Sequence, residues 1–120
     1  MAKWRRGATR LIGAGTAAYG LSLLVRPSSL AKQCGLDNPD DPSTRLLAIT
    51  FGARDLVSGI SILRVHDRSS LRLALTLRGL FDLGDAAACA ALLTDSGARM
   101  RVCGVAGLWG ALSLTLAATS

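Results

Sequence analysis

The chain has no glutamate: all eight of its acidic residues are aspartate, and 12 of its 14 basic residues are arginine. That bias suggests a GC-rich coding sequence. Only 18% of the 120 residues are charged and only 4% are aromatic, against roughly a quarter charged in ordinary soluble domains. So low a charge content excludes a disordered chain. Three cysteines without a CxxC pair exclude a disulfide-dense scaffold. A single histidine, His66, leaves too few ligands for zinc or haem. No GxSxG, Walker or GxGxxG motif is present, and Gly13-Ala14-Gly15 lacks a preceding strand and a third glycine. No cofactor is expected on these grounds, and no enzymatic activity.

What is abundant is apolar sequence. Half the chain is AVILMFWYC, the mean hydropathy is +0.38, and the length suits one domain. The apolar residues gather into four runs, at 11–25, 46–65, 71–93 and 102–118. A bilayer crossing takes about 20 mostly apolar residues, which gives spans at about 8–26, 46–65, 71–93 and 101–118. Alternation of period 2 is missing, and turn residues fall between the runs, so all four read as helices. Ser43-Thr44 are read as the cap of the second, Asp67, Ser69 and Ser70 as that of the third, and Asp95-Ser96-Gly97 as the turn before the fourth. In the one long connection, Ser28 or Ser29 would cap a short helix, residues 30–34, closed by Gly35. Residues 37–42 then make an exposed turn.

These features give an all-α chain: a four-helix transmembrane bundle with a short extra helix in the first loop, as a single membrane domain over 1–120. A soluble bundle would carry charge on most turns of each helix, whereas the fourth run has none and the first only Thr16, Tyr19 and Ser22 as polar residues. The basic start and Ser29-Leu30-Ala31 loosely fit a secretory signal, but Arg26-Pro27 sits where an uncharged cleavage region belongs. An uncleaved helix is the expectation.

The net charge of +6 does not point to nucleic acid, because the arginines flank the apolar runs rather than lining one face. With the N-terminus inside, Lys3, Arg5, Arg6, Arg10, Arg64, Arg68 and Arg72 are cytoplasmic, and Arg26, Lys32, Arg45, Arg99 and Arg101 are outside. The positive-inside rule therefore places both termini of a multi-pass plasma-membrane protein in the cytoplasm. The lipid bilayer is the expected partner, with a homodimer or a membrane-protein partner left open.

Five ionisable residues interrupt the second and third runs: Arg54, Asp55, Arg78, Asp82 and Asp85. At about 100° per residue, Arg78, Asp82, Asp85 and Cys89 share one face of the third helix, and Arg54, Ser58 and Ser61 share one of the second. A lone charge at the bilayer centre costs about 2.5–3.5 kcal/mol, so these groups are expected to pair as a buried network. Counting from the middle of each run puts Arg54 level with Asp82, and that pair is expected across the interface. Arg78 also reaches Asp82 at i,i+4. Fully ionised, three aspartates and two arginines leave one negative charge, which a protonated aspartate or an imported cation would remove. The network is thus either structural or proton-handling.

Small residues line further faces: Gly13, Ala17 and Gly20 on the first run, Gly52 and Gly59 on the second, and Gly104, Gly107 and Ala111 on the fourth. Such stripes let helices approach closely. Cys34 and Cys103 both fall near the outer surface, where a disulfide is conceivable, the simpler state being free buried thiols. His66 reads as a solvated loop residue.

Three segments resemble a known family. Arg26-Pro27-Ser28-Ser29-Leu30-Ala31, ending in Gly35-Leu36, is similar to its first half. Phe51-Gly52-Ala53-Arg54-Asp55-Leu56-Val57-Ser58-Gly59 resembles its G-x-R-D/E-L-x-x-G signature, and Arg78-Gly79-Leu80-Phe81-Asp82-Leu83-Gly84-Asp85 its R-x-x-x-D-x-x-D segment. The family is that of short four-span integral membrane proteins of unknown function common in actinobacteria, and the similarity extends over about residues 11–116. It implies a four-helix membrane fold and carries no catalytic residues. The expected role is a non-enzymatic accessory or scaffold protein; the alternatives are a small proton-coupled carrier using Asp82 and Asp85, or a thiol redox protein using the outer cysteines.

Overall fold

A computed structural model describes residues 3–37 and 40–119, so Asn38 and Pro39 of the expected turn lie outside the described residues. The described residues are all-helical, without strands: α1 (Lys3–Val25), α2 (Ser28–Gln33), α3 (Pro42–Arg64), α4 (Arg68–Leu92) and α5 (Ser96–Thr119). Each long helix starts three to five residues before the corresponding apolar span. Hydropathy marks the apolar stretch only, whereas the helix continues outward until its first amides find acceptors.

For α3, α4 and α5 those acceptors are aspartates. Asp41, not Ser43 or Thr44, caps α3: its carboxylate accepts from the Ser43 and Thr44 amides at 3.2 and 3.4 Å. Pro42 at the first position explains the earlier start, since its ring fixes a helical φ and it has no amide to satisfy. Asp95 accepts from the Ala98 amide at 2.8 Å at the start of α5. Asp67 caps α4 as expected. The two expected serine caps of α2 are not used: Ser28 and Ser29 lie inside the helix, behind Pro27. The end of α2 is a Schellman motif, with Leu36 N–H on the Ala31 carbonyl and Gly35 N–H on that of Lys32. Gly35 sits at φ +68°, which a side chain would strain.

At the Asp67 cap the Ser70 amide, donating at 2.9 Å, holds the carboxyl below its ordinary value. A carboxyl lowered on folding stabilises the helix while charged, and that contribution fades as pH falls through the lowered value. The Ser70 amide should therefore exchange faster with solvent as acid protonates Asp67, beyond the intrinsic pH effect. In Asp67→Asn, which keeps an acceptor without the titration, that extra dependence should vanish.

Packing is in two layers. α1 lies along α3 and α4 along α5, while α3 and α4, neighbours in sequence, touch only narrowly. The α1–α3 seam uses the small residues expected of it: Gly20 faces the Gly52 carbonyl, and Gly59 faces Ala17 and Gly13. The α4–α5 seam does not use the expected stripe. Gly104 and Gly107 have open space beside them, and contact is made by Gly110 against Gly79 and Asp82. One apolar cluster, Ile12, Ile62, Leu75, Leu116 and Ala117, fills the end nearest the α3–α4 turn. A second, Leu23, Leu30 and Ala48, fills the opposite end.

The surface is inverted relative to a soluble protein. Val57, Leu73, Leu77, Leu80, Val105 and Leu108 are exposed, while Arg78, Asp55 and Asp82 are buried. Three helices, α1, α3 and α5, are long and apolar enough to cross a membrane. The longest dimension is 45 Å, about the 40–45 Å of a bilayer with its headgroups. These features point to a membrane protein.

Candidate functional site

All five charges expected to form a network meet between the layers. Arg78 is the centre, 1% exposed, with Asp55 at 6% and Asp82 at 7%. Its Nη1 donates to Asp55 Oδ1 at 2.8 Å, its Nη2 to Asp82 Oδ1 at 2.7 Å and its Nε to Asp82 Oδ2 at 3.2 Å. One guanidinium thus grips the i+4 carboxylate of its own helix with two N–H groups and ties it to α3 with a third. This fork geometry is what arginine offers and lysine does not.

Arg54 does not pair with Asp82. Its Nη2 donates to Asp85 at 2.6 Å, its Nη1 to the other oxygen of Asp85 at 3.3 Å, and its Nε and Nη2 to Asp55 Oδ1 at 3.3 Å. The difference lies in which guanidinium already holds Asp82. α3 and α4 share a short turn, so depth is set by distance from that turn. Arg54 stands ten residues before Arg64 and Arg78 ten residues after Arg68, which makes them level. Asp82 lies one helical turn further along and is already held by Arg78, so the long Arg54 side chain extends to Asp85, the next carboxylate on that face.

Aromatic rings complete the setting. Arg54 lies over Phe51 at 4.8 Å and over Phe81 at 5.1 Å, and Arg78 over Phe81 at 5.7 Å from the ring centroid. The negative faces of these rings partly replace lost hydration around a cation. Phe51 at i−3 from Arg54 was legible as a helical neighbour; Phe81, on another helix, had no sequence signal beyond its place beside Asp82.

The network forms one wall of a cavity of about 440 Å³. The other walls come from α1, α2 and α5, including Leu30, Val102, Val105 and Ala106. Tyr19 Oη donates to Gln33 Oε1 at 2.7 Å, tying α1 to α2, and Trp109 Nε1 donates to Thr16 Oγ1 at 2.9 Å, tying α5 to α1. Asp85 is the most exposed carboxylate of this wall, its side chain 28% exposed against 9% for Asp55 and 10% for Asp82.

The cysteines form no disulfide. Cys34, Cys89 and Cys103 are free and half-buried. Burial pushes the Cys34 thiol above its ordinary value, and Cys103 Sγ donates to the Ala86 carbonyl at 3.3 Å. Among the described residues no group of three His, Cys, Asp or Glu side chains has the geometry to hold a metal ion.

The Arg54–Asp85 pair is amenable to a double-mutant cycle. Arg54→Gln and Asp85→Asn singly, then together, should show a coupling of about 1–3 kcal/mol in unfolding free energy. The same cycle between Arg54 and Asp82 should give a smaller coupling, since those two groups share no hydrogen bond and communicate only through Asp55 and Arg78.

No curated protein matches the chain, and no solved structure does. Residues 13–119, which include every member of the charged network, match one family model. With that match over most of its length, the chain belongs to the family described as "Domain of unknown function (DUF4267)".

Proposed function

We propose that the chain is a four-span, multi-pass protein of the plasma membrane with both termini in the cytoplasm, and that it acts without enzymatic chemistry, as an accessory or scaffold subunit. Its kin, on this reading, are the short four-span actinobacterial proteins that the motifs resemble. One observation carries the structural part: Arg78 is fully buried and spends its donors on Asp55 of α3 and Asp82 of α4. A guanidinium so placed is a clamp between two helix layers.

The fourth span is α4. Its charge content hides it from a count by composition, but Arg78 and Asp82 face inward while Leu73, Leu77, Leu80 and Leu83 are exposed. A helix with charge on its inner face and leucine on its outer face suits lipid outside and a polar bundle interior. The excess of basic residues on one side supports the orientation. The bilayer is then the principal partner, nucleic acid is not one, and a second copy or another membrane protein would meet the exposed leucines.

The protein should stay with membranes through alkaline carbonate washing and leave them only in detergent, and a C-terminal reporter should be active on the cytoplasmic side. A monodisperse species without detergent, or a reporter active outside, would overturn this reading. A second reading, a proton-coupled carrier, is favoured by one feature: Asp82 and Asp85 line the cavity. Unchanged pH-dependent flux in liposomes carrying Asp85→Asn would remove it.

A further inference from the structure

The clamp accounts for the pairing of charges but not for the space beside them or for the charge left over. We propose that the cavity binds a lipophilic organic monocation, with its positive centre against Asp85 and its apolar body among Tyr19, Phe51 and Trp109. This goes beyond the scaffold reading and does not require transport.

Three observations carry it. First, the buried network is formally one charge too negative: among the described residues Asp55, Asp82 and Asp85 pair only with Arg54 and Arg78. Every side-chain nitrogen of both arginines already donates to one of these carboxylates. An anion entering here would add to the surplus negative charge, whereas a cation finds carboxylate lone pairs and neutralises it. Arg101 is the other cation of the lining, but it is exposed and donates to the Gln33 carbonyl at 3.1 Å. It leaves the buried surplus in place.

Second, the remaining walls suit an apolar body. Leu30, Val102, Val105 and Ala106 carry no polar side-chain atom, and the aromatic residues Tyr19, Phe51 and Trp109 join them. Ring faces attract cations, most strongly where water is excluded. A proton would cancel the charge too, but would leave this volume empty. Third, the volume of about 440 Å³ falls in the ordinary range of small-molecule sites, about 300–1,000 Å³.

The test uses the full chain in dodecyl maltoside micelles, titrated calorimetrically with tetraphenylphosphonium against a blank of empty micelles. Tetraphenylborate, of the same shape and opposite charge, is the control on the wild-type protein. Tetraphenylphosphonium should bind saturably and tetraphenylborate should not. Asp85→Asn should weaken tetraphenylphosphonium about tenfold or more, the equivalent of one lost charge contact. Ala106→Phe, which fills the cavity without touching the network, should abolish binding, with helicity and monodispersity checked for both variants. Equal affinity in either variant, saturable tetraphenylborate binding, or no saturable tetraphenylphosphonium binding would overturn the proposal. None of these results would disturb the membrane assignment or the clamp, which are read by carbonate extraction and by unfolding.

Discussion

Arg78→Met should destabilise the folded bundle by about 3–5 kcal/mol, the range seen when one partner of a buried ion pair is removed. Asp55 and Asp82 would remain, 6% and 7% exposed, with their shortest hydrogen bonds gone. Methionine fills a similar volume, so the loss is electrostatic rather than a cavity effect. Arg78→Lys should fall between, because one ammonium cannot serve Asp55 and both oxygens of Asp82 together. The triple variant Arg78→Met, Asp55→Asn, Asp82→Asn should recover part of the loss, since it leaves no uncompensated buried carboxylate. Helicity followed through a titration of sodium dodecyl sulfate into mixed micelles gives the free energies. A loss below about 1 kcal/mol for Arg78→Met would show carboxylates satisfied without the guanidinium and would dissolve the clamp.

The parts of this architecture that were legible in the sequence are those set by local physics. Four long helices follow from runs too apolar to be solvated, and the five charges were legible because nothing else explains them there. Gly13, Ala17, Gly20, Gly52 and Gly59 were legible as seam residues, and the structure seats them between α1 and α3. What was not legible depends on relations between helices. Arg54 was expected on Asp82 because depth was counted from the middle of apolar runs, whereas Asp82 is already held by Arg78 of its own helix and Arg54 pairs with Asp85. Gly104 and Gly107 look like a packing stripe, but the rotation of α5 puts Gly110 at the seam instead. The cavity has no local signature: its walls come from all five helices, and the Tyr19–Gln33 and Trp109–Thr16 bonds that close it join residues 14 and 93 positions apart.

Gly59→Ala and Gly104→Ala should move stability in opposite directions, which separates packing from helix propensity. Both glycines lie inside long helices, where alanine is intrinsically better by about 0.8–1 kcal/mol. At Gly104 a Cβ meets nothing within 4 Å, so the variant should gain up to that amount. At Gly59 the added Cβ would meet the Ala17 amide nitrogen, the Gly13 carbonyl oxygen at 2.5 Å and Ala17 Cβ at 2.8 Å. Two of these are backbone atoms, which no rotamer change can move aside, so α1 itself must retreat from α3. Overpacking of this kind costs about 1–3 kcal/mol. Retreat of α1 also carries Thr16 away from Trp109 Nε1 and strains the tie to α5. Gly13→Ala should cost less than Gly59→Ala, because its closest contact is the flexible end of Leu63 rather than backbone. The same mixed-micelle unfolding reads all three variants. Equal stability of the Gly59 and Gly104 variants would mean that the α1–α3 seam is looser than its contacts require.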